Sequence, residues 1–550
     1  TTDEYGSTAT GDASTTSHSV TIGSLSANTT YHYNVKTTDS ASNTGESGDN
    51  TFSTAKAGTT GTTVTGTVTT TTSSVKATPT PVPDTTGPYV VIESKLDKPF
   101  TQAPAIIGTA TDKSFVASIE YSVDDGHNWL PVDFIDKPNT ARTDFSFTPQ
   151  LLDGNYVLKV RAKDGKGNAS TTDGGTLIVD RLPPRIGGVV FSLGPQELIP
   201  AANGTYIVPV GLDYKITLSA VGGPLSIDIS VKGKGESEQV TSLKKNPDNG
   251  LWSAFLRFEN PGDYTLFVDS VDGADNTIHK ELVHVTVLPS GIVTDGVAPV
   301  GNGTIAVYYL DDATKRFVLW DGSGYGQLNP QPFTPEGGYR LYLPTGTYYV
   351  RIAAGGYKTL VSSIFTINQP APIVSNFTLT RARALRLWRW LIPLPDFTQT
   401  TTAIHLSSSQ ATSSTAIPAI VNQEFPYFSL VSDTASLTSN SLRGKPTLIS
   451  ILNTWLPQAS AQLAVLSELA TKTEINVVAI MPQETVSSIT IFKKRAGYGF
   501  PVVADPDGAI IEAMGIHTLP AHVVVNRKGV VQSVQTGLFS KEDLLDMLVR

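Results

Sequence analysis

A spaced pattern, Tyr-x3-Val-x3-Asp-x3-Asn, occurs three times along the chain, at Tyr31-Val35-Asp39-Asn43, Tyr156-Val160-Asp164-Asn168 and Tyr264-Val268-Asp272-Asn276. The copies stand 125 and 108 residues apart, the length of one β-sandwich plus a connection. Around the second copy, Tyr156 to Ala162 alternates apolar and polar residues with period two, which predicts a half-buried strand. The Asp164-Gly-Lys-Gly-Asn168 that follows predicts a hairpin loop, in which glycine accepts positive φ and Asx side chains bond the backbone. Three copies therefore predict at least three sandwich domains in series. A length of 550 residues fits a multidomain chain at roughly 100 to 200 residues per domain, not one enzyme body.

Composition removes several function classes. With 40 Lys+Arg against 49 Asp+Glu and a net charge of -9, the chain lacks the basic surface that nucleic acid requires. Zero cysteine excludes disulfides, thiolate nucleophiles and sulfur-ligated metal sites. The eight histidines, His18, His32, His127, His279, His284, His405, His517 and His522, form no His-Glu-x-x-His or His-x-His pattern, so neither a metal nor a cofactor is expected. Asp269, Asp272 and Asp275 miss the EF-hand spacing, and the expected role for them is a solvated turn. No Gly-x-Ser-x-Gly is present. No stretch approaches 18 consecutive apolar residues, so no transmembrane segment is expected. The chain starts at Thr1 with no basic-then-apolar leader, and is read as a processed product or fragment.

Two segments read as linkers. From Thr54 to Thr86, 15 of 33 residues are Thr, ending in a Pro-rich run, and the linker is placed at 57–87. Thr398 to Ala416 carries 11 hydroxyl residues in 19 and lies in a basic, aromatic and Ser/Thr-rich segment, 382–423. At its start, Arg381, Arg383, Arg386 and Arg389 interleave with Trp388 and Trp390; a strand or short helix docked on the preceding domain accounts for them, as a membrane or partner surface also would.

Family resemblances attach to the domains so delimited. Leu25 to Val35, with Leu25 six residues before Tyr31, resembles the fibronectin type III signature, and 1–56 holds only the last strands of such a domain. Residues 88–181 and 182–289 look like bacterial immunoglobulin-like domains. Gly303-Thr-Ile-Ala-Val-Tyr, Gly338 to Ile352 and Gly355-Gly-Tyr357-Lys358, within 299–381, resemble the carboxypeptidase regulatory-like, transthyretin-like sandwich. Ser122-Val-Asp124-Asp-Gly126-His-Asn-Trp129 matches a single Asp-box; one copy makes no propeller, and a hairpin with Trp129 packed on it is expected. The long aromatic loop from Trp320 to Pro330 presents Trp320, Tyr325 and Asn329 as a possible ligand loop, weighed against a loop packed on its own domain.

Residues 424–550 alternate strands and helices: Thr447 to Leu452, Asn476 to Met481 and Ala521 to Asn526 as strands, Ala461 to Lys472 and Lys541 to Val549 as helices. Leu448 to Leu469, with Trp455-Leu456-Pro457-Gln458-Ala459, looks like the thioredoxin-fold redoxin family around its Trp-Cys-x-x-Cys motif. Ala504-Asp-Pro-Asp-Gly508, Met514-Gly-Ile516, Leu519-Pro520-Ala521 and Asn526-Arg-Lys-Gly529 match downstream. The departure falls on the chemistry: the two cysteine positions are Leu456 and Ala459, which neither ionise nor attack sulfur. The resemblance implies a cis-proline at Pro520, and with Trp455, Leu456 and Leu519 an apolar groove for an extended peptide.

The fold class expected is thus tandem all-β sandwiches, immunoglobulin- or fibronectin-like and transthyretin-like, followed by an α/β thioredoxin-like domain. The function expected is a non-catalytic extracellular or cell-surface stalk, adhesion or interaction protein. Its redox-inactive head would bind a protein or peptide through Trp455, Leu519 and Pro520. Two rivals remain: a redoxin-family oxidoreductase, and a carbohydrate-binding surface protein using Trp129, Trp252 or Trp320 on a cell-surface glycan.

Overall fold

The computed structural model describes residues 24–38, 44–56, 84–133, 140–233, 237–382, 384–387, 390–393, 400–402, 420–431 and 436–549, with Gly6, Thr8, Ile22 and Ile404 as isolated positions. Nearly all of the 57–87 linker and most of the Ser/Thr-rich stretch lie outside these residues, as do Asp39 and Asn43. The chain divides into two compact units, residues 1–84 and 85–550. The first holds two short antiparallel strand pairs, Thr30–Tyr33 with Asn50–Ser53 and Lys36–Thr38 with Thr44–Glu46. There the Tyr31 hydroxyl accepts from Ser26 N at 2.7 Å.

The second unit opens with two β bodies of two sheets each. In residues 85–181, strands Tyr89–Ile92, Ile106–Thr111 and Arg142–Phe147 form one sheet; Ala169–Val179, Gly154–Asp164, Val116–Ser122 and Leu130–Pro131 form the other. Val90, Ala110 and Phe145 from one sheet meet Val116, Ile119 and Val160 from the other in a shared core. Residues 185–288 repeat the scheme with two five-stranded sheets, one containing Arg185–Leu193, the other Gly262–Asp272 and Thr277–Leu288.

The sequence repeat has a physical cause in these bodies. Each tyrosine hydroxyl donates to the carbonyl four residues upstream, Tyr156 to Leu152 at 3.1 Å and Tyr264 to Asn260 at 2.9 Å. Val160 and Val268 are fully buried. Each aspartate closes the following turn: Asp164 accepts from the amides of Lys166 and Asn168 and from Asn168 Nδ2, and Asp272 does the same with Ala274 and Asn276. The spacing is therefore one strand, pinned at its start by a tyrosine and at its end by an Asx turn.

Residues 291–379 form a third β body around Val293, Ile305, Tyr339, Val350 and Phe377. One finding differs from the sequence reading: Thr400–Thr402, inside the segment read as linker, pairs in parallel with Leu360–Ser362 as an added strand. Ala384–Leu387 and Trp390–Pro393, from the arginine- and tryptophan-rich run, pair antiparallel as strands, one of the alternatives that run offered.

The C-terminal domain is α/β. Its mixed sheet runs in the order Val502–Asp505, Asn476–Pro482, Thr447–Ile451, Ala521–Val525, Val531–Thr536; the first three strands are parallel and Ala521–Val525 is antiparallel to Thr447–Ile451. The helices are α1 (Ala459–Leu469), α2 (Val486–Ala496), α3 (Ala509–Met514) and α4 (Lys541–Val549). Helix α1 starts two residues earlier than expected. Helices α2 and α3 were not read from the sequence, although α2 has clear punctuation: Thr485 caps it by accepting from Ser488 N, Gly497 takes φ 74° after it, and Lys493, Lys494 and Arg495 fill its last turn. Its Ser, Thr and β-branched residues hide the helical period.

Candidate functional site

The central strand Thr447–Ile451, buried along its length, delivers the chain to the start of α1. Buried Asn453 donates through Nδ2 to Pro482 O at 2.6 Å and to Glu484 Oε1 at 3.1 Å, while Thr454 gives its amide and hydroxyl to the two Glu484 oxygens at 2.6 and 2.7 Å. Those bonds fix the turn. Leu456 N then donates to Asn453 O, and Ala459 N to Leu456 O. Leu456 and Ala459 are each 3% exposed and join the core with Leu463 and Leu466; Trp455 is half-buried against it, Gln458 is half-buried and Pro457 is exposed.

The Leu519-Pro520 peptide is cis, as the resemblance implied. The groove beside it, however, is filled by the chain itself. Strand Arg185–Leu193 of the second β body lies along it, with Val189 N donating to His517 O at 2.8 Å and Val189 bridging Thr518 in parallel. Gly188 sits so close that a Cβ there would stand 2.1 Å from Leu519 Cδ1, and one on Gly187 would stand 2.3 Å from Gln483 Oε1. Val190, 5% exposed, is a member of the α/β core itself. Around this strand, Thr536 N donates to Ala202 O at 3.1 Å, Thr536 Oγ1 to Ala201 O at 2.5 Å, and Gln483 Nε2 to Arg185 O at 2.9 Å; Lys280 pairs with Glu512 at 2.5 Å. The expectation of an open groove at Trp455, Leu519 and Pro520 is thus corrected. Leu519 and Pro520 are buried, and the glycines of strand Arg185–Leu193 pack closely against Leu519 and Gln483.

The same body supplies an ionisable group at the start of α1. Glu197 is 6% exposed; Gln458 N–H faces its carboxylate, and its Oε2 has no hydrogen-bond partner. Burial pushes this carboxyl up to about 7, against the weaker opposite pull of the Gln458 amide. Sequence reasoning missed Glu197, since nothing local in Gln196-Glu197-Leu198 marks it. The two histidines near Pro520 are buried and depressed to about 4, chiefly by desolvation, so both are neutral at pH 7. His522 bonds Ser450 Oγ at 2.9 Å and Gly537 O at 3.1 Å.

The remaining sequence candidates lie elsewhere. Trp320 is in the core of the third β body with Tyr325 tilted against it at 5.3 Å, and the Asn329 amide is taken up by Val307 and Trp320 backbone groups. The ligand-loop residues are brought together, but as a packed loop whose indole is not presented to solvent. Trp252 is likewise buried. Half-buried Trp129 stacks under the Arg161 guanidinium at 4.1 Å, beside a hairpin closed by Asp124. The amide of Asn128, then Ser122 Oγ and Asn128 Nδ2, hold that carboxyl well below the usual range. Asp269, Asp272 and Asp275 have separate partners: His279, the 272–276 turn and Lys98.

The sheet order, the apolar start of α1 and the cis-proline define a thioredoxin-like domain. Residues 421–534 match the AhpC/TSA family. Over 105 residues the chain is 27% identical to the thiol-disulfide oxidoreductase ResA of Geobacillus thermodenitrificans, covering 18% of this chain and 60% of that protein. Over 112 residues it is 24% identical to ResA of Bacillus subtilis, covering 20% and 63%. The chain thus spans less than two thirds of the length of these relatives. A solved thiol:disulfide interchange protein of the thioredoxin family from Chlorobium tepidum is 25% identical, with 23% of this chain and 92% of that chain covered and a TM-score of 0.21. No helix among the described residues is long and apolar enough to cross a membrane.

Proposed function

We propose that this chain is a non-catalytic extracellular or cell-surface protein, in which immunoglobulin- and fibronectin-like sandwiches and a transthyretin-like module form a stalk and the thioredoxin-like domain is a redox-inert head. The observation that carries the reading is the start of α1, where Leu456 and Ala459 stand packed in the core of a chain with no cysteine. Thiol-disulfide exchange, the activity in the relatives' names, needs a thiolate that attacks and a second thiol that resolves the mixed disulfide. Neither atom exists here.

The test is reduction of a disulfide substrate with a thiol donor. The expected rate is that of the blank; turnover above it overturns the reading. Surface placement is checked by treating intact source cells with protease: loss of the chain, with a cytosolic marker spared, is the expected result, and full protection counts against it.

A further inference from the structure

The second β body carries a strand whose composition makes little sense for a half-exposed sheet edge. Arg185-Ile-Gly-Gly-Val-Val-Phe-Ser-Leu193 is apolar on both faces and has two consecutive glycines. Glycine inside a strand weakens it and marks a place where another backbone approaches closely. Here the neighbours that leave no room for a Cβ are the side chains of Leu519 and Gln483. Val189 and Phe191 point into the β body's own core, while Val190 belongs to the core of the α/β domain. Main-chain pairing plus one anchoring side chain is the pattern by which extended peptides are recognised at a sheet edge.

We propose that strand 185–193 is the resident ligand of the thioredoxin-like groove, so that the head is latched to the second β body in cis and takes an outside extended peptide only by expelling this strand. A segment tethered on the same chain competes at an effective concentration on the order of millimolar, which an outside peptide of ordinary affinity does not match. Glu197 adds a buried contact to the latch: the residue is 6% exposed, and its carboxyl group meets the Gln458 amide at the start of α1 in surroundings that favour the protonated form.

The inference rests on the reading of the head as non-catalytic, yet the two fail separately: disulfide turnover would sink that reading and leave the measurements below untouched. Amide hydrogen exchange on the full chain reads the latch through Val189 and Thr536, whose amides donate across the interface. Both are expected to be protected in the unaltered chain and to lose protection together in Gly188→Tyr, while Val478 and Val523 in the central sheet keep theirs. Fast exchange of Val189 and Thr536 in the unaltered chain, or retained protection in Gly188→Tyr, overturns the proposal. Should Gly188→Tyr unfold the domain, Gly188→Ala decides, with an expected loss of roughly 10- to 100-fold at the same two amides and none elsewhere. A labelled peptide of sequence Arg-Ile-Gly-Gly-Val-Val-Phe-Ser-Leu is expected to bind the opened variant and not the unaltered chain. Equal binding to both would show that the groove was never occupied.

Discussion

The opening strands of the first two β bodies of the second unit do the same topological job in different surroundings. Tyr89–Ile92 alternates: Val90 is buried, while Tyr89 is 72% and Val91 37% exposed. In Arg185–Leu193 the alternation is gone, with seven of the nine residues buried. The first strand has one face to pack and one to solvate, whereas the second has a core on either side. A β body of this kind therefore becomes a socket partner by changing one strand's outer face, with its own core left intact.

The comparison can be broken most severely at the outer face. Val190→Asp places an uncompensated charge in the α/β core and is expected to cost about 3–5 kcal/mol, read as loss of cooperative unfolding of residues 424–549 in hydrogen exchange. Val91→Asp, the counterpart in the first body, is expected to stay within about 0.5 kcal/mol in the same experiment. Equal effects would mean that the second strand has no partner.

Next in size is the pH dependence of docking. An undocked Glu197 loses its proton near 4.5, whereas the docked group keeps it up to about 7. A raised carboxyl pKa stabilises the docked state fully below pH 4.5, progressively less between 4.5 and 7, and no longer above. The span is at most about 3 kcal/mol by linkage. Protection of Val189 and Thr536 should fall across that window, and Glu197→Gln should flatten the profile. A profile unchanged by Glu197→Gln would place the pH response elsewhere.

Gly188→Ala should cost about 1–3 kcal/mol through its clash with Leu519, measured as lost protection of the Val189 and Thr536 amides. Combined with Leu519→Ala, which removes the clashing atoms, the penalties should not add, because the two residues touch. Strict additivity would mean that the contact is absent. The smallest effect is expected at Gly324, where an added Cβ meets nothing within 4 Å, and Gly324→Ala should be silent.

The tyrosine-to-asparagine repeat was legible because each of its four residues acts within one strand and the turn after it, so the pattern is local. The α/β domain was legible for a similar reason: Thr447–Ile451, Asn476–Pro482 and Ala521–Val525 are short apolar runs bounded by turn residues. Helix α2 escaped because its apolar stripe is diluted, though its caps were in view. The Trp320 loop was legible as a loop, with packing on its own domain weighed beside ligand binding, but its partners were not, since nothing in its residues says that Asn329 bonds Val307.

By itself, then, the sequence determined the series of β bodies, the thioredoxin-like domain at the C-terminal end, and the loss of both thiol positions. These follow from strand periodicity, turn chemistry and residue identity, each readable within about a dozen neighbours. Only the tertiary structure decided what fills the groove. Gly188 and Leu519 are 331 positions apart, and Glu197 and Gln458 are 261 apart. No propensity or spacing couples residues at such separations; the coupling arises when an apolar outer strand and an apolar groove, each costly to leave in water, are buried against one another.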